Sequence, residues 1–129
     1  MLEAIDIARP PVLAPTSLFV ASGEMAGLIG PNGAGKTSLM RALAGITPGP
    51  GAVMIGAEPL SAIPPRLRPA RLAYMPAVRR IDWPMPVRDV VALGLPDDAP
   101  NVTAAVHQAL AATDSLGFAD TPIDQLSTG

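Results

Sequence analysis

The residues of this 129-residue chain whose types and spacing could do chemistry sit together, in Gly30-Pro31-Asn32-Gly33-Ala34-Gly35-Lys36-Thr37-Ser38. The run matches G-x-x-x-x-G-K-[ST] at every fixed position, and the chemistry of that spacing is phosphate binding. Glycines leave room for successive backbone N–H groups to turn toward one anion. A helix starting near Gly35 would add its unpaired N–H groups and the positive end of its dipole. Lys36 would bring a point charge to the β- and γ-phosphates, Thr37 a hydroxyl to Mg²⁺, and Ser38 a hydroxyl or N–H to the α-phosphate. Four fixed positions match by chance on the order of once in a few hundred chains of ordinary composition. A plain Gly-rich turn is therefore the weaker reading.

Such a loop needs a strand before it and a helix after it. "EMAGLIG", Glu24 to Gly30, is apolar on both faces and predicts a buried parallel strand. In "KTSLMRALAG", Leu39, Met40 and Leu43 recur at helical spacing, and Gly45 falls where that helix should end. Upstream, Leu2–Ala8 and Ser17–Ser22 predict two strands, followed by a turn at Gly23. Downstream, Gly51–Gly56 and Arg71–Pro76 predict two more, the latter a core strand in which Tyr74 should pack. Val87–Gly94 and Asn101–Gly117 predict helices. The second carries the stripe Val102, Val106, Ala109, Leu110 and Leu116, with Gly117 as C-cap and His107 as a helix-face residue. The 16 prolines and 12 glycines show no period and mark many turns between short elements.

Composition narrows the function classes. With 49% hydrophobic and 16% charged residues the chain is globular, long enough for one apolar core and short for two. A net charge of -2 offers no basic surface, so no nucleic-acid partner is expected. The lack of cysteine excludes disulfides and thiolate metal sites. No apolar run approaches the roughly 20 residues of a membrane span, and the start "MLEAIDIARPP" lacks the basic region of a signal peptide. A soluble, cytoplasmic protein is expected. Asp97-Asp98 reads as a solvated loop rather than a metal site, and Asn101-Val102-Thr103 as a chance glycosylation match.

The stretch "ASGEMAGLIGPNGAGKTSLMRALAGITPGPGAVMIGAEPL" closely resembles the N-terminal half of the ATP-binding subunit of ABC transporters. The carriers are a Gly-Glu turn before the strand, the G-P-N-G-A-G-K-T loop, L-x-x-x-L-x-G and a G-x-V-x-x-G hairpin. "RLAYMPAVRRIDWPMPVRDVVALG" further resembles the subgroup serving uptake of iron chelates, haem or cobalamin. The resemblance implies an α/β phosphate-loop NTPase fold, truncated, with an N-terminal antiparallel β subdomain. Its phosphate-loop core would span 24–76, and a connector with the start of a helical subdomain 77–129. It implies ATP and Mg²⁺ as ligands, bound by Gly30 to Ser38 with Thr37 on the metal. It implies a second ATP-binding subunit and membrane-spanning subunits as partners, at the inner face of the cell membrane. Leu126-Ser127-Thr128-Gly129 would begin the signature, with Ser127 and Gly129 facing the partner's γ-phosphate. Trp83, in "IDWPMP" after Arg79 and Arg80, would face the membrane subunit; a Trp folded onto its own domain is the competing reading.

The chain departs from the family pattern at three points. Ala77 stands where the family has a glutamine that helps hold Mg²⁺ and the attacking water, and a methyl can do neither. "IARPPVLAPTS" has no aromatic to stack on adenine, leaving Arg9 as the stacking group. The residues that hold Mg²⁺ and activate water follow the signature in the family, so hydrolysis by this chain alone is not expected. A non-hydrolysing nucleotide-binding or decoy module docking through the Trp83 region remains the alternative, separated by ATP turnover. A phosphate-loop kinase or GTPase is disfavoured, since no N-K-x-D guanine motif occurs.

Overall fold

Two aliphatic runs, Leu2–Arg9 (β1) and Leu13–Val20 (β2), fold back on each other through a short Pro-rich turn and pair antiparallel. In the computed structural model, which describes residues 1–76, 83–96 and 99–127, β1 also pairs antiparallel with Ala52–Ile55 (β3). A two-residue turn at Gly56-Ala57 leads from β3 into Glu58–Pro59 (β4), forming the expected hairpin. The sheet order is β2-β1-β3-β4. The second strand thus begins and ends earlier than the expected Ser17–Ser22.

A bulge in β1 decides which side chains reach the core. The register shifts between Ala4 and Ile7, and Asp6 takes a φ of +47°. Ser17 locks this kink, its Oγ accepting the Asp6 N–H at 2.9 Å and donating to Asp6 Oδ1 at 3.0 Å. Strict alternation would send Ala4 and Ile7 to opposite faces; the extra residue brings both inward. They pack with Leu13 and with Leu39 of the helix Lys36–Leu43 (α1). Ala42 and Leu43 join Leu39 there, at the i, i+3, i+4 spacing of one helix face. The helix stops at Gly45 as expected. Gly45 has a φ of +66°, its N–H bonds the Ala42 carbonyl at 2.9 Å, and the Ile46 N–H bonds the Arg41 carbonyl at 3.0 Å.

Two expected strands do not form. Glu24–Gly30 has no strand pairing, and every residue in it is exposed, Met25 and Ile29 by 97% and 94%. Leu72–Pro76 likewise has no strand partner. A parallel strand is stable only with neighbours on its edges and layers on both faces. The described residues hold no parallel pair, so the apolar pattern of both segments goes unused. Among the described residues the antiparallel subdomain is present and the parallel core sheet is not.

Residues Met1–Tyr74 and Met75–Gly129 form two separate compact units. In the second, the helices Val87–Ala92 (α2) and Val102–Ala112 (α3) bury Val87, Val106 and Leu110. Asn101 caps α3, its Oδ1 accepting the Ala104 N–H at 3.0 Å. The helix ends well short of Gly117. Thr113 turns its hydroxyl back on the Ala109 and Leu110 carbonyls, Asp114 takes a φ of +52°, and a 3₁₀ turn over Leu116–Phe118 absorbs Gly117. The apolar stripe is correspondingly narrow: Val106 and Leu110 are buried, whereas Val102, Ala109 and Leu116 are exposed. His107 is exposed on α3. Among the described residues no helix is long and apolar enough to cross a membrane.

Candidate phosphate-binding site

The loop Gly30 to Gly35 closes on itself before α1 begins at Lys36. Pro31 offers its carbonyl to the Ala34 N–H at 3.3 Å, making one tight turn. Lys36 reaches back, its Nζ donating to the Gly30 and Pro31 carbonyls at 2.7 Å each. One ammonium proton is then left for another acceptor. Meanwhile the N–H groups of Gly33, Gly35, Lys36, Thr37 and Ser38 have no acceptor among the described residues. The first turn of α1 has no acidic residue and no side-chain cap to answer these donors. The result is a concentration of orphan N–H groups beside one positive charge. An anion with several oxygens is the ligand that satisfies it.

Local backbone geometry demands glycine at two of these positions. Gly33 and Gly35 have φ values of +83° and +82°, where a side chain is strained. At Gly35 a Cβ would also lie 2.5 Å from the Val12 carbonyl oxygen. The start of β2 is therefore seated against the loop, a contact that sequence reasoning missed because the two are distant in the chain and Val12 carries no motif. Beneath the loop, Leu39 is 6% exposed in the sheet–helix core and anchors α1. Thr37 is exposed and Ser38 half-buried, both in the helix's first turn. The donor set therefore fits a nucleotide's phosphates, with the Thr37 hydroxyl available to a hard cation such as Mg²⁺.

The remaining sequence candidates are scattered. Glu24 closes the turn before the loop segment, Oε2 accepting the Ala21 N–H at 2.6 Å, with Gly23 at a φ of +77°. Arg9 is exposed at the end of β1. Tyr74 is half-buried and lines an apolar cavity with Leu39 and Leu43, although the strand expected to carry it does not form. Trp83 is 71% exposed. Ser127 is exposed beyond the turn Ile123–Gln125. Ala77, Arg79, Arg80, Asp97, Asp98 and Gly129 lie outside the described residues.

The family described as ABC transporter matches residues 13–129. The chain belongs to the ABC transporter family. That membership places it among phosphate-loop NTPases. Its relatives include the hemin import ATP-binding protein HmuV of Rhizobium meliloti, 34% identical over 100% of this chain and 52% of the relative. HmuV of Streptomyces coelicolor is 37% identical over 97% of this chain and 47% of its own length. The vitamin B12 import ATP-binding protein BtuD of Salmonella typhimurium is 33% identical over 100% and 51%. These are the importer-like relatives that the sequence resemblance implied. The chain spans about half the length of the curated relatives it matches.

Proposed function

We propose that the chain is the nucleotide-binding portion of an ABC importer ATPase, binding Mg-ATP through Gly30, Pro31, Asn32, Gly33, Ala34, Gly35, Lys36, Thr37 and Ser38. The observation that carries this reading is the pairing of Lys36 with the loop carbonyls while five consecutive or near-consecutive N–H groups stay unanswered. Thr37 serves the metal. The magnesium ion, when bound, neutralises phosphate charge; the chain's own part is to hold and orient the phosphates. In the same reading, 24–76 forms the phosphate-loop core and 77–129 a connector with the start of a helical subdomain. Ser127 and Gly129 act on the nucleotide of a second ATP-binding subunit. The names of the relatives support import of hemin-like or cobalamin-like cargo. Membrane-spanning subunits at the cytoplasmic face complete the assembly, with the exposed Trp83 as the docking side chain.

Binding of a fluorescent ATP analogue, competed by ATP and GTP, tests the reading. ATP should displace the analogue, and Lys36→Ala should weaken binding about tenfold or more through loss of a charge-assisted contact. Equal affinity of Lys36→Ala and the unaltered chain would contradict it. Gly30 to Ser38 contains no carboxylate or imidazole to orient water, so turnover by the chain alone should stay at the uncatalysed rate. Measurable hydrolysis that Lys36→Ala abolishes would show the catalytic groups to be elsewhere in this chain.

A further inference from the structure

A second cavity, of about 330 Å³, opens within the unit Met1–Tyr74 at the C-terminal end of α1, and it shares no residue with Gly30–Ser38. Ala42, Val53 and Leu60 give it an apolar wall, while Thr47, Ser61 and Arg68 bring polar side chains to it. One side is the turn "TPGPG", residues 47–51, laid flush against β1. A Cβ on Gly49 would lie 2.6 Å from the Ala8 carbonyl oxygen, and one on Gly51 2.5 Å from that of Asp6. The Ala8 N–H also donates to the Pro50 carbonyl at 3.3 Å. With two prolines in the turn, this side is set before any ligand arrives.

Arg68 lies in a 3₁₀ turn over Pro65–Ala70 and is half-buried. Its Nε–H donates to the Ile63 carbonyl at 2.9 Å, which fixes the guanidinium, and Nη1 lies 3.9 Å from where a Cβ on Gly45 would stand. A cation beside a helix C-terminus usually answers the last carbonyls. Here they are already taken: that of Met40 by the Ala44 N–H, that of Arg41 by Ile46 and that of Ala42 by Gly45. The carboxylate of Glu58, on β4, pairs with Arg71 instead, at 3.8 Å. The remaining N–H bonds of the Arg68 fork therefore have no acceptor among the described residues. The same holds for the Thr47 and Ser61 hydroxyls and for the N–H groups of Gly49 and Ser61. A pinned, unspent guanidinium at a cavity mouth is a receptor for an oxyanion.

We propose that this cavity binds a small carboxylate with a short branched aliphatic body, its carboxylate on the Arg68 fork and its body against Val53 and Leu60. Inorganic phosphate would satisfy the guanidinium but leave the aliphatic wall in water. An uncharged aliphatic molecule would cover the wall but leave the fork unpaired, and the branched carboxylate answers both. The Thr47 and Ser61 hydroxyls add donors for an acceptor next to the carboxylate, such as the carbonyl of a 2-oxo acid. A volume of about 330 Å³ is at the small end of ligand sites, in keeping with so small a molecule. The site lies at the opposite end of α1 from the phosphate loop and does not depend on the nucleotide reading.

The probe is α-ketoisocaproate, titrated into the isotope-labelled chain and followed by amide NMR shifts. Saturable shifts are expected at Thr47, Gly49 and Ser61, with a dissociation constant of about 1 mM or tighter, while the amides of Gly33 to Ser38 stay unmoved. The methyl ester of the probe, which lacks the charge, should bind about tenfold more weakly or worse, and so should inorganic phosphate, which lacks the aliphatic body. Arg68→Gln should weaken binding of the acid about tenfold or more. Because Arg68 also holds the Ile63 carbonyl, Thr47→Val serves as a second variant: it keeps the side-chain shape, should leave melting unchanged and should weaken binding about threefold. No saturable shift up to about 10 mM probe overturns the proposal, as do shifts confined to Gly33 to Ser38. Equal affinity for the ester would remove the role of Arg68, and equal affinity for phosphate would remove that of the aliphatic wall; either overturns it. A folded Arg68→Gln that binds as the unaltered chain does overturns it as well. If Arg68→Gln does not fold, the ester and Thr47→Val decide: undiminished binding of the ester, or by Thr47→Val, overturns it.

Discussion

Residues 2–20 and residues 24–30 lie almost side by side in sequence, are comparably apolar, and end in opposite conditions. β1 and β2 find their partners within a few residues, through an antiparallel turn, and β3 joins them after one helix. Their core side chains Ala4, Ile7 and Leu13 are buried against Leu39. Residues 24–30 have no such neighbour and stand in solvent, with Ile29 94% exposed one residue before the phosphate loop. The difference lies in what each needs. An antiparallel hairpin supplies its own edge, whereas a parallel strand depends on segments brought in from far along the chain. The phosphate loop sits between these two conditions, held from behind by α1 and Val12 and led into by residues 25–29, whose backbone N–H groups have no acceptor among the described residues.

Substitutions should separate the two regions sharply. Leu39→Ala or Ile7→Ala removes a buried side chain from the sheet–helix core and should cost about 2–5 kcal/mol. Urea unfolding would read this as a lower midpoint, and the Leu39 variant should lose nucleotide binding with it. In the second unit, Asn101→Ala removes the α3 cap and should cost about 1 kcal/mol, visible as a smaller shift and in helix content by circular dichroism. Met25→Ser should fall within about 0.5 kcal/mol of the unaltered chain, since nothing covers Met25. A Met25 effect as large as that of Leu39 would erase the contrast between the regions.

Much of the site was legible because its determinants are local. The fixed spacing of Gly30, Gly35, Lys36 and Thr37, the helical spacing of Leu39 and Leu43 and the stop at Gly45 all act within a few residues of one another. The β3–β4 hairpin was legible for the same reason. The bulge at Asp6 was not, because it depends on Ser17 across the strand pair. Nor was the early end of α3, where Thr113 competes for the helix carbonyls before Gly117 is reached. The apolar runs 24–30 and 71–76 were read as strands from composition, but composition carries no information about whether an edge is filled.

Amide hydrogen exchange of the isolated chain, with and without Mg-ATP, tests the central claim most directly: a formed phosphate cradle behind an unpaired approach segment. The account predicts protected amides in β1, β2 and β3, free exchange at 25–30, and slowing at Gly33 and Gly35 to Ser38 when Mg-ATP is added. Protection of 25–30 equal to that of β1 without nucleotide, or no response of the loop amides to Mg-ATP, would contradict it.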